Sequence, residues 1–165
     1  MPRNLANITM RPSVDGDEGF VNELGSVAFS AYSYDPRRAM RSILAEHGTE
    51  TLVAEVDSVR VGFVVLQYER LARDFGPWVR PTAARLNAIA VCPHAHGRGV
   101  GRRLLESAEM VARRRPALSL SLATGERNTR ARRLFVGAGF VQLARVDGYY
   151  AGGQTAILMH RALID

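Results

Sequence analysis

The sequence predicts an α/β (α+β) protein, a mixed sheet with helices on both faces. Three observations carry the prediction. Apolar runs of strand length alternate with amphipathic runs of helix length. Their order along the chain reads β-α-α-β-β-β-α-β-α-β-β. Residues 86–105 hold an apolar strand, a proline, the alternate glycines Gly97, Gly99 and Gly101, and then an amphipathic helix.

Each element has its own signal. Ile8-Thr9-Met10-Arg11-Pro12 reads as a strand ended by its proline. Asp15-Gly16-Asp17 is a turn that can cap a helix over 18–29. Pro36 opens a second helix over 37–46, and His47-Gly48 stops it. Residues 51–56 and 59–68 are strands joined in a hairpin at Asp57-Ser58. Residues 69–82 contain Gly76-Pro77-Trp78 and read as a loop. Residues 85–91 form the strand before the glycine turn. The helix over 100–115 places Leu104, Leu105, Ala108 and Val111 on one face, and Pro116 stops it. Residues 117–122 alternate Leu and Ser as a half-buried strand. Asn128 is a good N-cap for a helix over 129–136, which Gly137-Ala138-Gly139 ends. Residues 140–146 and 154–161 are the last two strands.

Composition bounds the answer. A chain of 165 residues suits one domain, 1–165. Its apolar content of 47% and charged content of 23% are those of a soluble globular protein. No apolar run is long enough to span a membrane. Met1-Pro2-Arg3-Asn4-Leu5 lacks a signal-peptide core, so a cytoplasmic location is expected. The one cysteine, Cys92, allows no intrachain disulfide and is expected to pack at its strand end. All 22 basic residues are arginine, and net charge is +6. An arginine-only, alanine-rich chain points to a GC-rich, bacterial genome. Aromatic content of 7% and the lack of a nucleic-acid motif argue against a nucleic-acid partner.

The glycine turn builds a nest of backbone N–H groups at a helix N-terminus, a site for phosphate. Arg102 and Arg103 sit in that helix's first turn. Cations there cost roughly 0.3–1 kcal/mol each, and a bound polyanion reverses the sign. A P-loop is excluded because the chain has no lysine. A dinucleotide fingerprint is excluded because Arg102 occupies the third glycine position.

Val91-x-Pro93 followed by His96-Gly97-Arg98-Gly99-Val100-Gly101 resembles motif A of the GNAT acyltransferase superfamily. That pattern, Arg/Gln-x-x-Gly-x-Gly/Ala, binds the pyrophosphate of acyl-coenzyme A through its amides. His96 stands where the family has Arg or Gln. Asn128-x-x-Ala131-x-x-Leu134-Phe135-x-x-x-Gly139-Phe140 is similar to motif B. Arg127, Arg130, Arg132 and Arg133 crowd the start of its helix. Two basic helix starts suggest one polyphosphate ligand between them. The spacing of motif B, with Tyr149-Tyr150 and Ala156-Ile157-Leu158-Met159, narrows the resemblance to the ribosomal-protein N-terminal acetyltransferases. Ala123 replaces their strand glutamate, and Phe135 replaces their tyrosine general acid.

The resemblance implies a GNAT-like domain, a mixed and mostly antiparallel sheet of about seven strands flanked by about four helices. It implies transfer of an acetyl group from acetyl-CoA, a co-substrate, to a primary amine of a small molecule or peptide N-terminus, without a metal. The expected cofactor-binding residues are Ile89, Ala90 and Val91 on the strand, His96, Gly97, Arg98, Gly99, Val100, Gly101 and Arg102 at the turn, and Asn128, Arg133 and Phe135 in motif B. Glu55 is the expected catalytic base, with Glu126, His94 and His96 as other candidates. Tyr149 or Tyr150 either protonates the leaving thiolate or lines the acceptor pocket. That pocket is expected from Tyr32-Ser33-Tyr34-Asp35, residues 69–82 and residues 149–153, with Asp35, Glu69 and Asp74 drawing a cationic amine. The departures at Ala123 and Phe135 keep open a second reading, a catalytically silent acyl-CoA sensor module. The final strands are free to pair across a homodimer.

Overall fold

The computed structural model describes residues 7–164, so the N-terminal pentapeptide read for a leader lies outside it. Seven strands form one sheet: β1 (Ile8–Pro12), β2 (Thr49–Val56), β3 (Val59–Arg70), β4 (Thr82–Val91), β5 (Ala117–Gly125), β6 (Val141–Val146) and β7 (Ala156–Ala162). Their order is β1-β2-β3-β4-β5-β7-β6. Every pair is antiparallel except β4 with β5, which is parallel. A parallel pair needs a crossover, and helix α3 (Val100–Arg114) supplies it. The other helices are α1 (Glu18–Ala28), α2 (Pro36–Ala45) and α4 (Thr129–Gly137). No helix among the described residues is long and apolar enough to cross a membrane.

Two cores flank the central strands. Phe63 and Val64 are both fully buried, yet adjacent strand residues point to opposite faces. Val61, Val64 and Leu66 join Leu104, Leu105 and Ala108 of α3, with Phe135 of α4. Phe63, Val65, Ala88 and Ala90 join Val21 of α1 and Met40 of α2. Met40 fills the space over Gly25, where a Cβ would meet its Cε and Cγ at 2.6 and 2.8 Å.

The element order matches the expected one, and the differences lie at ends. β4 begins at Thr82 because Thr82, Ala83 and Ala84 pair with the end of β3. β5 runs on to Gly125 because Ala123, Thr124 and Gly125 pair with Leu158, Ile157 and Ala156 of β7. Alanine and glycine are poor strand formers, so the tertiary pairing holds Ala83, Ala84, Ala123 and Gly125 in these ends. Asp35 caps α2 by accepting from the Arg38 N–H at 3.1 Å, with Pro36 as the first helical residue.

An ion-pair cluster ties β1 to the chain before α1. The Asp17 side chain is buried and takes Arg11 at 2.6 Å and Arg60 at 3.2 Å. It also accepts from the Val14 N–H at 2.8 Å. Arg11 donates onward to Glu55 at 2.9 Å.

The feature that positions the site is a divergence. β4 and β5 pair only as far as Arg85 with Ser121. Beyond that point residues 86–91 of β4 leave β5, and a gap opens in the sheet.

Candidate active site

The register of β4 decides which of its backbone groups face that gap. Cys92 N–H donates to Val61 O at 2.7 Å, and Ala90 pairs with Phe63. Hydrogen-bonded pairs alternate along an antiparallel ladder, so the N–H groups of Ala88 and Ala90 belong to β3. Those of Ile89 and Val91 point the other way, into the gap. Ala90 therefore contributes its surface and not its N–H.

The chain then turns through Pro93–Ala95 and into α3. Gly97 has φ +73° and Gly99 φ +83°, a conformation that only glycine adopts without strain. Gly99 is the N-cap of α3. The alternation of left-handed glycines with ordinary residues turns successive amides inward as a nest. Gly101 lets α4 approach, since a Cβ there would stand 3.0 Å from Leu134 Cδ2.

A cleft of about 450 Å³ opens above this turn. Its walls include Ile89, Ala90, Val91, His96, Gly97, Gly99, Val100, Gly101, Arg102, Asn128 and Phe135. The sequence reading expects two further arginines here. Arg98 and Arg133 are exposed and lie off the cleft. Arg130, which the sequence reading did not place at the cofactor, lines the cleft. It sits one turn before Leu134 on the face that meets the core, and that spacing is the signal that finds it. Leu24 and Val27 of α1 form an apolar roof that no motif marked.

His96 joins the two halves of the cleft. Its Nε2 lies 2.8 Å from Val91 O, and its Nδ1 is hydrogen-bonded to Arg130 Nη1. Asn128 caps α4 through the Ala131 N–H at 3.3 Å.

A second cavity of about 430 Å³ lies on the other side of the divergence. It shares Ala28, Ile89, Asn128, Ala131 and Phe135 with the first. Tyr32, Tyr149 and Tyr150 line it, as do Glu46, Gln67, Arg85 and Asn87. Tyr150 packs 5.0 Å from Tyr32 and 4.9 Å from Tyr149, centroid to centroid. Burial pushes the Tyr150 phenol well above its ordinary value, so it stays protonated.

The α1–α2 loop and the β6–β7 loop are bonded together over this cavity. Ala151 N–H donates to Tyr32 O at 3.2 Å, and Gly152 N–H to Tyr34 Oη at 2.9 Å. The Gln154 side-chain amide donates to Ala31 O and to Ala151 O.

Several residues expected at the site lie elsewhere. Glu55 lines neither cavity, being held by Arg11 at the far end of β2. The Glu126 carboxylate is gripped by Arg145 at 2.6 Å, which holds its pKa down and leaves it a poor base. His94 is exposed and off both cavities. Residues 71–82 fold back through paired Phe75 and Trp78 and do not line this second cavity. Asp74 is engaged by the Arg80 N–H at 2.9 Å. The carboxylate on the cavity wall is instead Glu46, at the end of α2, which no motif marked. Burial pushes the Cys92 thiol up, as befits a packed residue and not a nucleophile. Among the described residues no cluster of His, Cys, Asp or Glu could hold a metal.

Residues 18–140 match the model of the acetyltransferase (GNAT) family. The chain belongs to that family. An uncharacterized N-acetyltransferase of Archaeoglobus fulgidus is 29% identical over 108 residues, which cover 63% of this chain and 71% of that protein. The GNAT fold recurs in the ribosomal-protein-S18-alanine N-acetyltransferase of Escherichia coli, with TM-score 0.73, 20% identity, and 96% and 95% of the two chains covered. It recurs in NAA60 of Arabidopsis thaliana, solved in complex with acetyl-CoA, with TM-score 0.79, 16% identity, and 94% and 98% covered.

Proposed function

We propose that the chain is an acetyl-CoA-dependent N-acetyltransferase acting on a primary amine of a small molecule or peptide N-terminus. The observation that carries the reading is the meeting of two cavities at Ile89, Asn128, Ala131 and Phe135. A thioester entering one cavity and an amine entering the other reach the same stretch of β4. The glycine nest and the N-terminus of α3 suit a pyrophosphate. The wall of Leu24, Val27, Ile89 and Leu134 suits the uncharged arm of coenzyme A.

Acetyl-CoA supplies the activated acyl group. The Ile89 and Val91 N–H groups, which point into the gap, would be the donors for oxyanion charge developing on its carbonyl. Glu46 is the carboxylate on the acceptor side, where it would draw a cationic amine and take its proton through water. The attacking nitrogen would form the C–N bond as the C–S bond breaks, and the protonated Tyr150 hydroxyl would give its proton to the leaving coenzyme A thiolate. Holding the two reactants together contributes several kcal/mol by itself.

The test is thermal unfolding with acetyl-CoA, followed by thiol release over a panel of amines. A ligand bound only to the native state adds about 2.7 kcal/mol at a hundredfold excess over its dissociation constant. No shift at millimolar acetyl-CoA overturns the reading. A shift without thiol release from any amine favours the silent acyl-CoA-binding module.

A further inference from the structure

We infer that His96 is a positioning residue, a neutral imidazole that holds the Arg130 guanidinium ready for a phosphate group at the mouth of the cofactor cleft. The inference rests on the reading of that cleft as a coenzyme A site.

The hydrogen bonds fix the chemistry of the ring. Val91 O can only accept, so Nε2 must carry the proton facing it at 2.8 Å. Arg130 can only donate, so Nδ1 must present its lone pair. Both conditions hold together only for the neutral Nε2–H tautomer. His96 thus spans from the end of β4 to the first turn of α4. A doubly protonated ring would set an N–H against the guanidinium.

Arg130 needs such a holder. Its side chain is exposed, and no carboxylate pairs with it among the described residues. A free arginine loses rotamer freedom when it clamps a ligand. It also sits in the first turn of α4, where the helix dipole disfavours a cation and an anion would compensate. Arg102, in the first turn of α3, lines the same cleft. Its Nε is drawn to Glu106 at 3.3 Å along its own helix. Arg130 is therefore the guanidinium that the fold presets across the cleft. Glutamine in place of His96 could donate to Val91 O and accept from Arg130 in the same way.

Calorimetric titration of coenzyme A and of 3′-dephospho-coenzyme A into the full chain tests this. The chains compared are the wild type, His96→Leu, His96→Gln, Arg130→Gln and the double variant His96→Leu/Arg130→Gln. A charge-assisted hydrogen bond lost from the ligand weakens binding about tenfold or more. His96→Leu and Arg130→Gln should each cost that, and the double variant should cost no more than about threefold beyond either. His96→Gln should restore affinity to within about threefold of wild type. Losses that vanish with the dephospho ligand assign Arg130 to the 3′-phosphate, and losses that persist assign it to the pyrophosphate. Nitrogen chemical shifts of the free protein should report His96 as the Nε2–H tautomer. An Nδ1–H ring, an unaffected His96→Leu, or losses that multiply independently overturn the inference. Failure of the wild type to bind coenzyme A overturns the cofactor reading instead, and the inference with it.

Discussion

The ring of Tyr32 lies on the bare Cα of Gly125, so close that a Cβ built there would stand 2.7 Å from Tyr32 Cζ and Oη. The last residue of β5 thereby seats the aromatic wall of the second cavity, the proposed acceptor site. Gly125→Ala should push Tyr32 off Tyr150 and deform that wall. We expect the KM for the amine to rise about tenfold, since overpacking forces side chains from their rotamers at a cost of ~1–3 kcal/mol. Coenzyme A affinity should hold, because Gly125 and Tyr32 are absent from the cofactor cleft. Steady-state kinetics with both substrates varied checks the split.

Glu55→Gln should leave kcat within about twofold, because Glu55 lines neither cavity and general bases contribute ~10²–10⁴-fold. A fall of a hundredfold would support the catalytic role that the sequence reading expects of Glu55.

Asp17→Asn should destabilise the fold by about 2–3 kcal/mol in a denaturant titration. Breaking a fully buried pair costs ~3–5 kcal/mol, and the Arg11 and Arg60 side chains here are 33% and 39% exposed. Hydrogen bonding to Arg11 holds the Asp17 carboxyl well below its ordinary value, despite its burial. The unfolded carboxyl titrates near ~4. The stability it contributes is therefore present in full above about pH 4 and is lost as pH falls below that. In Asp17→Asn this acid-side loss should shrink, which stability measured from pH 3 to 7 reads directly.

Tyr150→Phe should lower kcat by about a hundredfold with little change in amine KM, if its hydroxyl protonates the leaving thiolate. Tyr149→Phe should do neither, since Tyr149 is 52% exposed. Burial holds the Tyr150 phenol above its ordinary value near ~10, so it remains a proton donor through that pH. The wild-type kcat profile should show no basic limb from this group below about pH 10. Equal kcat for Tyr150→Phe and wild type would leave Tyr150 as cavity lining.

Gly99→Ala should cost about 1–2 kcal/mol, because φ +83° is a left-handed conformation that a Cβ opposes. Gly99→Glu should in addition abolish the thermal shift with acetyl-CoA by setting a carboxylate in the phosphate nest. A retained shift in Gly99→Glu would mean that the anion sits elsewhere.

Much of this was legible because the chain is well punctuated. Pro12, Pro36, Pro116, the glycines of 97–101 and the Asn128 cap mark element ends by local chemistry, and local chemistry is what a sequence carries. Register is not local. The choice of Ile89 and Val91 over Ala90 depends on how β4 lies against Phe63, and the distance of Glu55 from the site depends on which strand lies beyond β2. Arg130 and Arg133 look alike until the helix is turned so that Leu134 and Phe135 face inward. Glu46 carries no motif at all. It reaches the cavity only because α2 ends there, across 41 residues of sequence from Asn87.

The bonds between the α1–α2 and β6–β7 loops have a consequence for inheritance. Tyr34 and Gly152 lie 118 residues apart and yet share one hydrogen bond. Replacing Tyr34 alone would take away the hydroxyl that accepts from the Gly152 N–H. A substitution at Tyr34 therefore reaches the β6–β7 loop as well as its own. A loop exchanged singly from a relative would arrive without its mate.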